Sequence, residues 1–169
     1  MRRLTITTLS AMALLAAAGS AQAQDINPLL PVEGTREIGL SGNLNFQPNN
    51  DYDILGSYGP FLNRNLQVGG QLGILRTDEL TDFQYAAFAN YHFPGRTAVL
   101  PFIGVTVGGT TQRISGNTDT AFSLGLQGGV KYFLSENVAI SPRLVYISPT
   151  DSAVEDRFSL RLGISVFLR

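Results

Sequence analysis

Apolar and polar residues alternate with a period of two along nearly all of residues 36–169, in runs of about ten separated by turn-forming residues. That period places alternate side chains on opposite faces of an extended chain, so the pattern reads as a succession of strands with one apolar and one polar face. A repeated phrase punctuates it. Phe61-Leu-Asn-Arg-Asn-Leu-Gln-Val-Gly69 recurs as Phe133-Leu-Ser-Glu-Asn-Val-Ala-Ile-Ser141, with a degenerate third copy, His92-Phe-Pro-Gly-Arg-Thr-Ala-Val-Leu100, between them. In each copy, polar or turn-forming residues sit where the backbone must reverse, and alternation resumes at once, as in a tight hairpin. The copies are about 30 to 40 residues apart, the length of a strand-loop-strand unit built from strands of about ten residues.

The strands read as 36–46, 52–61, 66–75, 83–93, 98–112, 120–133, 138–147 and 157–168, joined in up-and-down order. The last shows the clearest alternation: Phe158, Leu160, Leu162, Ile164, Val166 and Leu168 against Arg157, Ser159, Arg161, Gly163, Ser165 and Phe167. An even count puts both ends of strands 1 to 8 beside the three short turns. Pro101 and Pro142 fall inside strands although proline cannot donate to a ladder, and a bulge or a late strand start is expected at each.

Ahead of the strands, Arg2 and Arg3 precede an apolar run that closes on Ala21-Gln-Ala23. A positive start, a short apolar core and a small-x-small site describe a secretory signal peptide over residues 1–23. Cleavage after Ala23 would leave 146 residues. Residues 24–35, with Pro28 and Pro31, show no period and read as a lead-in; the barrel occupies residues 36–169. Without cysteine there is no disulfide framework and no thiolate ligand or nucleophile. Of 12 basic and 13 acidic residues, losing Arg2 and Arg3 leaves ten against thirteen, a net charge of −3 that argues against nucleic acid as a partner.

Two features decide which face is the core. The polar face is built from Gly, Ser, Thr, Asn and Gln with few charges, whereas a solvated face normally carries many Lys and Glu; charged residues are only 15% of the chain. Aromatic residues also collect at strand ends. Tyr58, Tyr91, Phe93 and Tyr132 flank the short turns, and Tyr52, Phe83, Phe122, Tyr146 and Phe158 flank the loops, as two girdles one membrane height apart. Both features favour a polar lumen and a lipid-facing apolar exterior. The fold class expected is therefore an all-β, eight-stranded antiparallel up-and-down transmembrane β-barrel. In this register the lumen holds Glu37, Asp53, Lys131, Arg143 and Arg161. A buried charge must be paired, so these five are expected to form a structural salt-bridge network that plugs the barrel. Nine of the thirteen acids lie at the loop end, where they read as solvated loop tips.

The signal peptide, the repeated aromatic-Leu-polar-polar-Asn turns, Gly128-Gly-Val-Lys-Tyr-Phe-Leu134 and the alternating final strand together resemble the small eight-stranded outer-membrane β-barrel family of the OmpA transmembrane-domain and OmpX type. The resemblance covers the whole mature chain. It implies export to the outer membrane of a Gram-negative-type envelope, contact with outer-membrane lipid and lipopolysaccharide, and insertion by the outer-membrane assembly machinery; a monomer is expected. Members usually end in Phe or Trp, whereas this chain reads Phe167-Leu168-Arg169. Some relatives are enzymes acting on lipid A or peptides. The lipid A deacylases carry a His-x-Ser-Asn motif, but the single histidine here, His92, is followed by Phe-Pro-Gly.

No catalytic residues, cofactor or metal site are assigned. Asp51 and Asp53 could in principle form an acid pair, and the paired glycines Gly69-Gly70, Gly108-Gly109 and Gly128-Gly129 lack the following helix that a phosphate cradle needs. The function expected is a non-catalytic envelope barrel with a plugged lumen. The alternatives are a narrow passive pore, a soluble secreted barrel that binds an apolar ligand, and a lipid-modifying enzyme.

Overall fold

A computed structural model describes residues 27, 29–43, 52–76, 81–114, 117–150 and 156–169. Residues 1–23, expected to form a signal peptide, and the tips of the four longer loops lie outside the described residues. Eight strands follow one another: β1 Arg36–Asn43, β2 Tyr52–Pro60, β3 Leu66–Arg76, β4 Thr81–His92, β5 Val99–Ile114, β6 Asn117–Ser135, β7 Val138–Pro149 and β8 Arg157–Leu168. Each pairs antiparallel with the next, and β1 pairs with β8, so the sheet closes into a barrel with no free edge.

The two faces fall as the alternation requires. Ile38, Leu40, Leu72, Val105, Leu126 and Ile164 face outward with about half of their surface exposed. Ser41, Gln67, Asn90, Thr106, Gln127, Ser141 and Ser165 are buried inside. An exterior of this composition excludes the soluble alternative, in which the apolar face would line the interior. The girdles are also in place: Tyr58, Tyr91, Phe93 and Tyr132 are exposed near one rim, and Phe83, Phe122, Tyr146 and Phe158 near the other. The side chain of Tyr52 lies outside the described residues.

The three short turns are local chemistry. After β2, the Asn63 carboxamide oxygen accepts from the amides of Asn65 and Leu66, both at 2.8 Å, and Leu62 N donates to Leu66 O at 2.8 Å. This is an Asx-type reversal, which is why asparagine holds the position. Glu136 and Asn137 alone join β6 to β7.

The strands depart from expectation at the β5–β6 tip, at the start of β4 and at the two prolines. The hairpin between β5 and β6 continues through Gln112↔Asp119, Arg113↔Thr118 and Ile114↔Asn117, where a seven-residue loop was expected from Arg113 to Asp119. β4 likewise starts at Thr81 rather than Phe83. Neither proline makes a bulge. Pro101 accepts from Phe93 N at 2.9 Å, so its missing N–H points toward β4, just beyond the last ladder pair, His92↔Phe102. At Pro142 the β6–β7 ladder skips the pairs opposite Val130 and Lys131, yet the register is the same on both sides. The register shift in that ladder lies instead between Phe133 and Ser135, at the turn.

The described residues of the lead-in dock against the barrel, beginning with Asn27, whose N–H donates to Gly95 O at 3.2 Å. Gly34 N donates to Phe61 O at 2.9 Å and Phe61 N to Thr35 O at 2.8 Å. Leu30, 1% exposed, packs in a buried cluster with Phe61, Leu100, Phe133, Ala139 and Phe167. Arg169 donates to the carbonyl oxygens of Leu29 and Glu136, tying this segment to the last short turn.

Candidate functional site

The site is the lumen, and it is layered. Its floor, at the short-turn end, comes from the repeated phrase itself. The first residue of each copy points inward: Phe61, His92 and Phe133 are all buried, while the following Leu62, Phe93 and Leu134 are exposed on the outside. The period-two step from inside to outside is thus built into the Phe-Leu and His-Phe dipeptides. Phe102 and Phe167 complete a chain of ring contacts. Phe133 lies 4.9 Å from Phe167, Phe167 lies 6.3 Å from Phe61, Phe61 lies 4.9 Å from His92, and His92 lies 5.5 Å from Phe102. Neither ring nitrogen of His92 meets a partner in hydrogen-bond geometry. Leu30 seals this floor from the short-turn side.

Above the floor stands the first charged layer. The Lys131 ammonium on β6 donates to Glu37 Oε2 on β1 and to Gln67 Oε1 at 3.2 Å. The Gln67 amide donates to Glu37 Oε2 at 2.8 Å, and Ser165 Oγ donates to Glu37 Oε1 at 2.7 Å. A relay continues around the wall: Gln127 Nε2 donates to Asn90 Oδ1 at 2.6 Å, and Asn90 Nδ2 to Gln67 Oε1 at 3.3 Å. Both carboxylate oxygens of Glu37 therefore accept strong donors, which is what a buried charge requires.

The second layer lies toward the loops. Arg161 Nη2 donates to Asp53 Oδ2 at 2.6 Å, and Asn43 Nδ2 donates to the same oxygen at 2.7 Å. Arg143 sits directly across the β7–β8 ladder from Arg161 and donates to Ser41 Oγ at 2.6 Å. Among the described residues the lumen thus holds two separate ion pairs, Glu37–Lys131 and Asp53–Arg161, where one network of five charges was expected. Arg143 belongs to neither. It makes no ion-pair contact, but its charge acts on both Glu37 and Asp53, and the second Asp53 oxygen, Oδ1, accepts no hydrogen bond. A cavity of about 20 Å³ lies between the layers, lined by Lys131, Arg143, Ser41, Ser57, Ser141 and Ser165 among others.

Asp51 lies outside the described residues, and Asp53 is engaged by Arg161 and Asn43. Among the described residues, no cluster of His, Cys, Asp and Glu has a metal-binding arrangement. Sequence reasoning did not single out Gln67, Asn90 and Gln127, the amides that join the first layer. Their polarity marked them as lumen-facing, but nothing in the pattern marks which amides meet. At the opposite rim, Tyr146 and Ser148 donate to Asp156 at 2.6 and 2.8 Å. These two hydroxyl donors hold the Asp156 carboxyl below its ordinary range.

A closed eight-stranded barrel with an apolar exterior, aromatic girdles and a charged, packed interior is a membrane-spanning barrel of the outer-membrane class. The family model described as "Outer membrane protein beta-barrel domain" matches residues 9–164, and the chain belongs to that family. Its place is the outer membrane of a Gram-negative envelope. Among solved structures it is similar to the N-terminal β-barrel domain of Pseudomonas aeruginosa OprF, with a TM-score of 0.65 and 19% identity, over 82% of this chain and 100% of that one. It is also similar to P. aeruginosa OprG, with a TM-score of 0.56 and 9% identity over 83% and 99% of the two chains. Yersinia pestis Ail gives 0.52 and 13% over 82% and 100%. No match is found among the curated proteins.

Proposed function

We propose that this protein is a non-catalytic envelope barrel whose lumen is closed, serving the outer membrane as a structural element rather than a conduit. The observation that carries this reading is the stacking of the Glu37–Lys131 layer directly on the aromatic floor. A conducting path would have to cross a saturated ion pair, the Gln67–Asn90–Gln127 relay, five rings and Leu30. The 20 Å³ cavity holds about one water and is no channel. Absence of catalysis is supported by His92, enclosed between Phe61 and Phe102, and by Asp53, held in an ion pair. The barrel stands as a monomer in outer-membrane lipid, with its loops toward lipopolysaccharide, and reaches that place through the assembly machinery.

Planar-bilayer recording tests the closure. The wild-type barrel should give no steady ohmic conductance, and Lys131→Ala with Glu37→Ala should stay silent unless the floor is thinned as well, for example by Phe61→Ala with Phe167→Ala. Steady conductance from the wild-type monomer would overturn the closed reading in favour of a narrow pore.

A further inference from the structure

We propose that the lumen binds a small monovalent anion of halide size, held between the two charged layers with Arg143 as its counter-charge. Three observations meet there.

The first is charge. Lys131 is matched by Glu37, and Arg161 by Asp53. Arg143 is adjacent to Arg161 in the ladder and hydrogen-bonds only the neutral Ser41 hydroxyl. Two guanidinium groups therefore face one carboxylate. The Nε atom of Arg143 is buried with no partner, so an N–H donor on a cation is left over inside the barrel. Arg143 is half-buried and lies within the fields of both Glu37 and Asp53, yet among these five groups three cations share two carboxylates, so one positive charge is in excess.

The second is shape. Across the wall formed by β2, β1, β8 and β7 the register sets Ser57–Gly39–Ser165 in one row and Ser41–Gly163–Ser141 in the next. A glycine in the middle of each row lets the flanking serines close over it: a Cβ on Gly39 would meet Ser57 Oγ at 2.5 Å, and one on Gly163 would meet Ser41 Cβ at 3.0 Å. The cavity that remains beside them, about 20 Å³, has room for one water or one ion of similar size.

The third is the lining. Ser57 and Ser141 border the cavity with hydroxyls that can donate, beside Arg143 and Lys131. The one carboxylate in the wall, Glu37, already accepts from Lys131, Gln67 and Ser165. Arg143 and the serine hydroxyls can donate to a halide, and a water would leave the surplus charge in place.

The site goes beyond the closed-lumen reading, since an ion can rest in a blocked barrel. The test compares unfolding of the detergent-solubilised barrel in chloride, bromide and gluconate at equal ionic strength, with anomalous diffraction from crystals grown in bromide. The midpoint of unfolding should be higher in chloride and bromide than in gluconate. The difference should vanish in Arg143→Met and return in part in Arg143→Lys, and a bromide peak should lie beside Arg143 and Ser141. Should Arg143→Met fail to fold, Ser57→Ala with Ser141→Ala keeps the charge and should raise the halide concentration needed for half the effect at least several-fold. Equal midpoints in all three salts, a halide effect that survives Arg143→Met, or a water in place of bromide would overturn the site. Bilayer conductance of the same sample separates the two readings: a silent barrel without bromide sinks only the ion site, and a conducting one without bromide sinks both.

Discussion

Lys131 reaches across the lumen from β6 to Glu37 on β1 while its ammonium rests 5.3 Å from the ring centre of Phe102, 5.4 Å from Phe61 and 5.8 Å from Phe167. One side of the cation meets a carboxylate and the other meets the faces of three rings, both of which attract it. Removing the cation alone should strand a buried carboxylate. Lys131→Met is expected to destabilise the barrel by about 3–5 kcal/mol, and the double variant Glu37→Gln, Lys131→Met by clearly less. Urea unfolding in micelles, followed by the gel mobility of boiled and unboiled samples, measures the cycle. Additive losses would show that the pair is not coupled.

The lipid-facing assignment makes a depth-dependent prediction. Leu126 lies on β6 midway between the girdle residues Phe122 and Tyr132, whereas Phe158 stands in the loop-end girdle. Arginine at position 126 should cost about 2–4 kcal/mol, and arginine at position 158 about 0–1 kcal/mol. Refolding equilibria in lipid vesicles provide the comparison, and equal costs at the two sites would place the membrane elsewhere.

His92 occupies the inward position that phenylalanine fills in the other two copies of the turn phrase. Its ring nitrogens are buried without a hydrogen bond of good geometry, the Asn65 backbone supplying only a weak one, so His92→Phe exchanges a poorly satisfied polar ring for an apolar one of similar shape. The variant should be neutral to about 1 kcal/mol more stable. A loss of more than that would show that the imidazole makes an interaction the ring stacking does not reveal.

Gly69 is where the wall must thin. A Cβ there would meet Phe88 Cζ at 2.6 Å and Gly59 Cα at 2.7 Å, besides the Tyr58 carbonyl, whereas a Cβ on Gly95 would meet nothing within 4 Å. Gly69→Ala should therefore cost about 1–3 kcal/mol through overpacking of backbone that cannot yield. Gly95→Ala should stay within about 0.5 kcal/mol of wild type. Thermal midpoints of the two variants, side by side, decide it.

Truncating Leu30 should loosen the lead-in without opening the barrel. Loss of a fully buried leucine costs about 2–5 kcal/mol where the site cannot collapse. Amide exchange at Gly34 and Phe61, whose N–H groups bridge the lead-in and the end of β2, should quicken in Leu30→Ala. Amides in the middle of β3 and β4 should not change. Uniform acceleration would mean that the lead-in supports the whole barrel.

The strands were legible because one physical demand, lipid outside and packed polar groups inside, acts on every residue with a period of two. Where that demand lapses, so does the signal. The tip of the β5–β6 hairpin continues the ladder through Thr118 and Asn117, and Thr and Asn read as loop when no apolar face accompanies them. Glu37, Asp53, Lys131, Arg143 and Arg161 could be placed in the lumen from parity alone. Their partners could not, because pairing depends on which strands face one another across the barrel and on side-chain reach. The docking of Leu30 was invisible for a different reason. A single apolar residue in an aperiodic segment carries no pattern, and its pocket is assembled from residues far apart in the chain.

That pocket has a temporal meaning. Its walls come from Phe61 at the end of β2, Leu100 on β5, Phe133 on β6, Ala139 on β7 and Phe167 on β8. The pocket is complete only when the ends of β2, β5, β6, β7 and β8 stand together, and the segment ahead of the first strand can seat fully only then. Its seating amounts to a latch that engages fully only on a finished barrel.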